Sequence, residues 1–518
     1  MTTIPNRPLA KAYDYIVVGA GSGGLPVVRR LIERTDATVL LIEAGDAGIG
    51  VPEIEDPTAW VPLGRGRFDW GYDYAPSPLV NNRSIGIPRG KVLGGSSAIN
   101  ALMWYRGNPI DYDAWAEAGC EGWDWGSVLR YFKRAEDWEG GETEYRGSGG
   151  PLKIGVSRDL HPVAKAMIDG APDIGIPVID DPNGPTNEGA AAANFNIAEG
   201  KRFSSVDGYL LPVIDNPRLT VLTGSHVLSL ILDGTRCRGI RHLIDGETTE
   251  SIATSKVILS AGAINTPRIL MLSGIGDPAE LEPLGIEVRH ALRGVGKNLQ
   301  DHPLVQAIVC RAKRPLGRAK DNGGGSMLNW KSSPSLLQAD VHAFPVQGNS
   351  AEPRIRELYQ TEGDVFSIGA GLMHSKSIGH LKMLSADPFG PLEIQPNYLA
   401  EASDLEALVS AVGTIMDLVE TPAFKDIFDG FAAPAERLSR EETIGFIRNG
   451  CSTFFHTSGT ARMGRDEDAV VDAHLDVHGL EGLMISDASI IPMIPTCNTH
   501  APVTMIGERA ADFLTGAS

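Results

Sequence analysis

Two histidines in the last third of the chain have the residue type and the setting for proton chemistry. His456 lies in the segment FFHTSGTARMG, and His500 lies in PTCNTHAP, 44 residues further on. Neutral imidazole accepts a proton near neutral pH, so two histidines can remove a proton and hold the oxygen that loses it. A glycine-rich turn, GAGSGG at 19–24, lies near the other end of the chain. We therefore predict one active site that both ends of the chain help to form.

The elements around the glycine turn follow the order of a dinucleotide-binding unit. The apolar segment 13–19 predicts a strand that ends in glycine, and the segment 25–34 predicts a helix. A second buried strand is predicted at 38–42, with Glu43 at its carboxyl end. A strand, a glycine turn, a helix, a strand and an acid in this order bind a dinucleotide. The unit by itself leaves both FAD and NAD open.

Each residue of this unit has a predicted role in holding the dinucleotide. Gly19 permits the tight turn, Gly21 lets the backbone approach the pyrophosphate, and Gly24 lets the helix pack closely on the strand. Free amides at Gly21 and Ser22, at the positive end of the helix, stabilise the phosphates. The carboxylate of Glu43 accepts hydrogen bonds from a ribose 2′-hydroxyl and repels a 2′-phosphate, which disfavours NADP.

Longer segments carry a resemblance to a known family. The segments 90–107 (GKVLGGSSAINALMWYRG) and 262–276 (GAINTPRILMLSGIG) resemble the two signature patterns of the glucose–methanol–choline (GMC) oxidoreductases. VGKNLQDHP at 295–303, LMISDASIIP at 483–492 and the His456 segment are similar to further blocks of that family, in the same order. The resemblance runs from about residue 13 to residue 513. It implies an α/β fold with a Rossmann-like FAD-binding domain and a substrate domain, in which helices flank an antiparallel sheet.

The resemblance implies a set of FAD contacts beyond the glycine turn. Asn100 matches the family asparagine beside the flavin, and the position before it, which is a histidine in relatives that bind FAD covalently, is Ile99 here. Non-covalent FAD is therefore expected. Val227 matches the family position whose backbone meets the adenine, and Asp487 matches a later FAD contact of the family. From the local sequence alone, Val227 is equally well explained as part of a buried strand, and Asp487 as a helix N-cap. The other residues carried over as cofactor-binding are Val92, Gly94, Gly95 and Ala488.

The two histidines also match family positions. His456 stands in the family's HxxGTxxMG pattern, although relatives often have proline where this chain has Thr457. His500 matches a position that is histidine or asparagine in relatives. The resemblance implies that His456 is the principal base and that His500 orients the substrate. The reverse division of labour stays open, because two coupled groups need not titrate separately.

Other residues that could do chemistry are assigned structural roles. His474 and His478 are four residues apart, but no third ligand is evident and the segment around them alternates like a strand, so no metal site is predicted. His302 is expected to make a structural hydrogen bond. For the aromatic residues near these motifs, core packing and a pocket wall are both open. These are Trp104, Tyr105, Phe454 and Phe455.

The order of the motifs implies a discontinuous FAD-binding domain at 1–155, 203–310 and 455–518. The substrate domain would then comprise 156–202 and 311–454. Within it, the glycine- and serine-rich segment 316–335 predicts a mobile loop near the site entrance or a flexible linker. A strand within 389–399 followed by a helix at 402–419 is expected to cap the substrate cavity.

Composition and charge exclude several classes of function. The 518 residues carry a formal net charge of −19, which argues against nucleic acid as a partner. Five scattered cysteines without a CxxC motif favour a reducing compartment. The first residues lack a signal-peptide core, and no apolar run has the length of a transmembrane segment. A cytoplasmic location is expected.

Taken together, the residues and the resemblance predict an FAD-dependent enzyme that oxidises a small primary alcohol by hydride transfer to flavin N5. Choline-like, aryl and heteroaromatic alcohols such as pyridoxine are the candidate substrates, and oxygen or another carrier is the electron acceptor. A lyase of the hydroxynitrile type and a non-catalytic flavin-binding protein are the alternatives. The oligomeric state is not encoded in any pattern of the sequence.

Overall fold

The computed structural model describes residues 4–158, 160–318 and 321–516. Two seven-stranded sheets dominate this part of the chain. The strand order of the first sheet is Leu219–Leu222, Val39–Ile42, Ala12–Val18, Glu247–Leu259, Arg236–Ile244 and Val227–Asp233, with Leu483–Ile485 paired to Glu247–Leu259. The strands around Ala12–Val18 are parallel, and the last three of the main path form antiparallel hairpins.

The first strand runs directly into the glycine turn, and the helix Gly24–Arg34 then leads to Val39–Ile42. Val39–Ile42 and the last three residues of Ala12–Val18 are apolar and buried, as expected for a parallel sheet with helices on its faces. The C-terminal helix His500–Thr515 packs against Gly24–Arg34. This contact brings the N-terminus of the last helix, and His500 with it, to the glycine turn.

The second sheet is antiparallel. Its order is Phe428–Ala433, Pro303–Ala312, Val365–Leu372, Val341–Val346, Ser326–Trp330 and Gly189–Ala192, with Cys451–Thr453 paired to Pro303–Ala312. The helices Pro162–Gly170, Ala402–Val419 and Arg440–Gly450 pack against it. The segment that precedes His456 continues directly from the strand Cys451–Thr453, so this sheet positions His456.

The remaining elements are short. Small sheets pair Tyr72–Ser77 with Arg83–Ile87, His380–Met383 with Leu392–Gln395, Ile197–Ala198 with Lys201–Arg202, and Ile275–Gly276 with His290–Ala291, while Glu136–Trp138, Leu152–Val156 and Asn194–Phe195 form a three-stranded sheet. The other α-helices are Pro52–Glu55, Trp60–Leu63, Pro109–Glu117, Trp125–Ala135, Gly262–Leu272, Pro278–Leu281 and Pro353–Leu358. A π-helix spans Val206–Leu210, and 3₁₀ turns span Pro57–Ala59, Pro78–Val80, Gly95–Ala98, Ala171–Ile174, Leu211–Val213, Glu282–Leu284, Pro422–Phe424 and Ala488–Ile490.

The predicted α/β fold is confirmed, and two local expectations are wrong. The segment around His474 and His478 forms turns and isolated bridges instead of a strand. The predicted loop 316–335 contains the buried strand Ser326–Trp330, because its apolar residues complete the second sheet; residues 319–320 of that segment lie outside the described part. The predicted domain boundary at residue 310 falls inside the strand Pro303–Ala312, which belongs entirely to the second sheet.

The domain division itself stays a prediction, and the second sheet favours a start of the substrate domain before residue 303. The predicted strand and helix near its end are present as Leu392–Gln395 and Ala402–Val419. Within the described ranges, no helix is both long enough and apolar enough to cross a bilayer.

Candidate active site

A cavity of about 770 Å³ is lined by residues of both large sheets. Gly21 of the glycine turn, Glu43, His456 and His500 all line it. Its size is within the range of pockets that bind cofactors and small substrates. The structure therefore brings the two ends of the chain to one site, as the sequence predicts.

The glycine turn has the close approaches that require glycine. Gly19 has φ +100°, and a Cβ there would clash with the carbonyl of Ser260. A Cβ on Gly24 would clash with the carbonyl of Gly19, so Gly24 does permit close packing of the helix on the strand. A Cβ on Gly21 would meet nothing within 4 Å and would point into open space at the cavity lining. The amides of residues 21–23 find no acceptor within the described residues, so they are free for an anion.

Gly23 is a close-packing residue that the sequence reasoning missed. A Cβ there would clash with the carbonyl of Ser486, which belongs to the segment 483–492 near the other end of the chain. The hydroxyl of Ser486 also donates to the carbonyl of Gly23, over 3.2 Å. No local pattern could have found this role, because the contact joins residues 463 positions apart.

Glu43 is buried at the carboxyl end of its strand, where it lines the cavity. Its Oε2 accepts from the amide of Ala20 over 3.1 Å, and its Oε1 accepts from the amide of Gly45 over 2.9 Å. Burial raises the pKa of the carboxyl to about 7, against the lowering effect of these amides. Carboxylate oxygens accept more than one hydrogen bond, so Glu43 can still accept from a ribose hydroxyl.

The segment 90–107 passes directly over the glycine turn. A Cβ on Gly95 would lie 3.0 Å from the Cα of Gly21, so the two turns touch. Asn100 lines the cavity, and its Oδ1 accepts from the amide of Leu102 and from Arg202, each over 3.0 Å. Ile99 also lines it, with no group that could bond covalently to a cofactor.

The other residues carried over from the family divide into two groups. Val227 and Ala488 line the cavity, as does Asp487. Asp487 also caps the turn Ala488–Ile490 by accepting from the amide of Ser489 over 2.8 Å, so the local account of this residue holds as well. Val92 and Gly94 lie behind the lining, where Val92 is fully buried and pairs with Asp46, just beyond Glu43.

His456 is buried at the other end of the cavity and is held on both ring nitrogens. Its Nδ1 lies 2.8 Å from Nδ1 of His302, and its Nε2 lies 3.2 Å from Nδ2 of Asn498. The ring stacks on Phe454, with the centroids 4.9 Å apart and an interplanar angle of 18°. Asn498 and His302 thus belong to the site. The sequence motifs predict no role for Asn498 and only a structural one for His302.

Asp301 fixes the backbone that carries His456. One carboxylate oxygen accepts from the amide of His456 over 2.7 Å and from the amide of His302 over 2.9 Å. The other oxygen accepts from the hydroxyls of Tyr74, Thr453 and Tyr398, over 2.5 to 2.6 Å. The five hydrogen bonds compensate the cost of burying the carboxylate, and they make the segment around His456 rigid. Thr457, where relatives have proline, lies 2.8 Å from the hydroxyl of Tyr74.

His500 is the first residue of the C-terminal helix, and its Nδ1 lies 2.9 Å from the hydroxyl of Ser22. Its ring contacts Trp104 edge-on, with the centroids 5.4 Å apart. The indole nitrogen of Trp104 in turn donates to Glu136 over 3.1 Å. The proton site is therefore joined to the glycine turn by one hydrogen bond between side chains.

Burial favours the neutral form of both histidines. Burial lowers the pKa of His456 well below 6.5, and His302, Arg89 and His342 lower it further by charge repulsion. Burial, followed by the charge of Arg202, lowers the pKa of His500 to about 4. A neutral imidazole is the form that can accept a proton.

His474 and His478, the two histidines that a metal site would have used, make structural contacts. His478 bonds the carbonyl of Gly464 over 3.0 Å, and His474 packs on Phe513 at the surface. Within the part of the chain that is described, no cluster of three or more ligand-type side chains could hold a metal ion. Phe454 and Phe455 line the cavity, whereas Trp104 and Tyr105 are core residues behind it.

The chain matches two family models described as GMC oxidoreductase, over residues 13–304 and 375–507. It is 35% identical to the mitochondrial choline dehydrogenase of Mus musculus, over 97% of this chain and 89% of the relative. It is also 35% identical to the oxygen-dependent choline dehydrogenase of Escherichia coli O127:H6, over 97% of this chain and 96% of the relative. The crystal structure of pyridoxine 4-oxidase from Mesorbium loti superposes with a TM-score of 0.92 at 31% identity, over 96% of this chain and 98% of that one.

The matched regions include the glycine turn, the segment over it and both histidines. The free amides, the open face of Gly21 and the acceptor Glu43 fit a dinucleotide such as FAD. By its sequence, its fold and this site, the chain belongs to the GMC oxidoreductase family and is an FAD-dependent enzyme that oxidises an alcohol.

Proposed function

We propose that this enzyme oxidises a small primary alcohol to the aldehyde, with Nε2 of His456 as the acceptor of the hydroxyl proton. The observation that carries the proposal is that a buried, neutral His456 lines the same cavity as the glycine turn and His500. Alcohol oxidation needs a proton acceptor and a fixed position for the oxygen, and this cavity offers both.

The contacts of His456 assign its tautomer. Asn498 donates to Nε2, so the ring proton is on Nδ1 and is donated to Nδ1 of His302. Nε2 then keeps its lone pair on the side of Asn498, which also lines the cavity. A substrate hydroxyl takes the place of the amide at this lone pair. The amide of Asn498 is then free to donate to the oxygen as it loses its proton.

His500 orients the substrate oxygen from a second direction. Its Nδ1 is engaged by Ser22, which leaves Nε2 as the nitrogen free for the substrate. The two histidines come from segments that the second sheet and the C-terminal helix place independently. Together they restrict the rotation of the alcohol, which aligns its C–H bond for oxidation.

The glycine turn, Glu43, Gly95, Asn100, Val227, Asp487 and Ala488 are the residues that would hold FAD. When bound, FAD supplies the acceptor for the hydride from the carbinol carbon. We propose that it is held without a covalent bond, because Ile99 occupies the position from which some relatives bond it. Acid precipitation of the purified protein tests this: the yellow colour remains in the supernatant if FAD is free, and stays with the pellet if it is covalently attached.

Anaerobic mixing of the purified holoenzyme with a panel of primary alcohols tests the reaction. Bleaching of the oxidised-flavin absorbance, with one aldehyde formed per flavin reduced, supports the proposal. Product without bleaching indicates lyase chemistry instead. A flavin that stays oxidised with every alcohol in the panel contradicts the proposed reaction.

A further inference from the structure

Aromatic side chains form the wall of the cavity next to His456. Phe454 stacks on the His456 ring, and Phe344 lies 5.2 Å from Phe454 between ring centroids. Both phenylalanines line the cavity, together with Met103. The three side chains belong to one buried apolar cluster, which also contains the fully buried Leu304. The substrate position beside the proton acceptor is therefore bounded by apolar surface.

The carboxylates that line the cavity are all engaged by other groups of the protein. Among the described residues they are Glu43, Asp73, Glu352 and Asp487. Asp73 pairs with Arg65 over 2.6 Å, and Glu352 pairs with Arg83 over 3.1 Å. The oxygens of Glu43 accept from the amides of Ala20 and Gly45, and those of Asp487 accept from the amides of Gly262 and Ser489.

Positive charge lies close to both histidines. Arg89 lines the cavity and donates to the carbonyl of Phe455, next to His456. Arg202 bonds the carbonyl and side chain of Asn100 and acts on His500. Asp301 lies next to His456 but outside the lining; its five hydrogen-bond donors are neutral groups, and its charge offsets that of Arg89. Among the described residues of the lining, a cation beside His456 would therefore find no carboxylate that lacks another partner.

We propose that the alcohol oxidised at this site is an uncharged aromatic methanol and not a quaternary ammonium alcohol. This inference rests on the proposed function of the same site. Transfer of a cation from water into this cavity is costly unless an anion or several aromatic faces compensate it. One face of the Phe454 ring is already covered by His456. A neutral aromatic ring incurs no such cost and packs against Phe344 and the uncovered part of Phe454.

Three alcohols in anaerobic stopped-flow experiments with the holoenzyme separate charge from shape. They are 4-methoxybenzyl alcohol, choline, and 3,3-dimethylbutan-1-ol, which has the shape of choline without its charge. We expect the limiting second-order rate constant for flavin reduction to be highest for the benzylic alcohol. The constant for choline is expected to be at least about tenfold below that of its neutral isostere. A constant for choline equal to or above that of the isostere overturns the inference.

A variant pair locates the recognition. Phe344→Leu removes one ring of the wall, so we expect KM for 4-methoxybenzyl alcohol to rise about fivefold. The value for 3,3-dimethylbutan-1-ol should change little, because it has no ring to stack. Phe428→Leu removes a ring from the same sheet outside the cavity and is the control. Equal effects of Phe344→Leu on both alcohols contradict the stacking role.

A titration without turnover distinguishes failure of the inference from failure of the proposed reaction. Anisole and tetramethylammonium mimic the two substrate classes but cannot be oxidised as alcohols. Perturbation of the oxidised-flavin spectrum by anisole at lower concentration than by tetramethylammonium supports the aromatic preference, even if no alcohol reduces the flavin. Tighter binding of tetramethylammonium overturns it.

Discussion

The glycine-turn end and the histidine end of the cavity are built by different means. The glycine-turn end presents backbone amides and missing side chains, and its centre is one continuous unit, 19–43, to which the segments around Gly95, Val227 and Asp487 are added. At the histidine end the groups are side chains from separate segments, among them His302, His456 and His500. A short sequence can therefore specify a phosphate cradle, whereas the proton site exists only once both sheets and the C-terminal helix have assembled. Mutations at the two ends should therefore separate binding of FAD from the chemistry.

The largest effect is expected from His456→Ala. Loss of the proton acceptor should slow anaerobic flavin reduction at least about a hundredfold, while FAD stays bound because the cofactor end is untouched. Stopped-flow absorbance measures the rate, and the flavin-to-protein ratio measures occupancy. His474→Ala, a surface histidine outside the cavity, is the control and should reduce at the wild-type rate. An unchanged rate in His456→Ala would remove this residue from the mechanism.

Gly21→Ala, at the glycine-turn end, should weaken FAD binding and leave the rate of flavin reduction nearly unchanged. The new Cβ meets no protein atom within 4 Å, so the fold tolerates it, but it occupies the space where the pyrophosphate approaches. We expect FAD to bind about thirtyfold more weakly by fluorescence titration, with near-normal reduction once the site is saturated. Gly445→Ala, where a Cβ also meets open space, is the matched control. Unchanged affinity in Gly21→Ala would show that the pyrophosphate lies elsewhere.

His500→Ala should have a smaller effect than His456→Ala. The oxygen loses one of its two orienting groups but keeps the base, so we expect flavin reduction to slow about tenfold. His500→Asn keeps a polar group at a position where relatives have histidine or asparagine, and it should recover part of the rate. If His500→Ala were the more damaging of the two histidine variants, the division of labour would be reversed.

Ser22→Ala tests the hydrogen bond that joins His500 to the glycine turn. The hydroxyl of Ser22 lies 2.9 Å from Nδ1 of His500, and its loss leaves that nitrogen without a partner. We expect about a threefold slower flavin reduction and unchanged FAD affinity, because the amides of the turn remain. The double variant Ser22→Ala/His500→Ala should be no slower than His500→Ala alone. Additive effects would show that the bond does not act through His500.

The same difference explains how much of the molecule the sequence could predict. The strand, turn and helix around 19–43 follow from local apolar runs and glycine spacing, and the structure has them within a residue or two. Gly23 could not be found in this way, because its neighbour is the carbonyl of Ser486. The glycine- and serine-rich composition of 316–335 predicted a loop, and the strand Ser326–Trp330 could not be recognised there because the sheet that buries it comes from distant segments.

At the histidine end, the sequence predicted which residues would take part but not how they are hydrogen-bonded. The motifs of the family resemblance pointed to His456 and His500, and both line the cavity. The partners on the two nitrogens of His456 come from 154 and 42 residues away, so no spacing could reveal them. Asp301 lies in the quoted segment LQDHP, yet its five donors are visible only in the folded chain.

The pH dependence of anaerobic flavin reduction tests most directly whether a neutral, buried His456 is the proton acceptor. Protonation of His456 blocks it as a base, so activity is lost as pH falls through its pKa. Because burial lowers that pKa well below 6.5, the limiting rate constant in saturating alcohol should stay level from about pH 8 down to about pH 6 and fall only in more acidic solution. The residual rate of His456→Ala should lack this fall. A loss of rate centred near or above pH 6.5 in the wild-type enzyme would contradict the account.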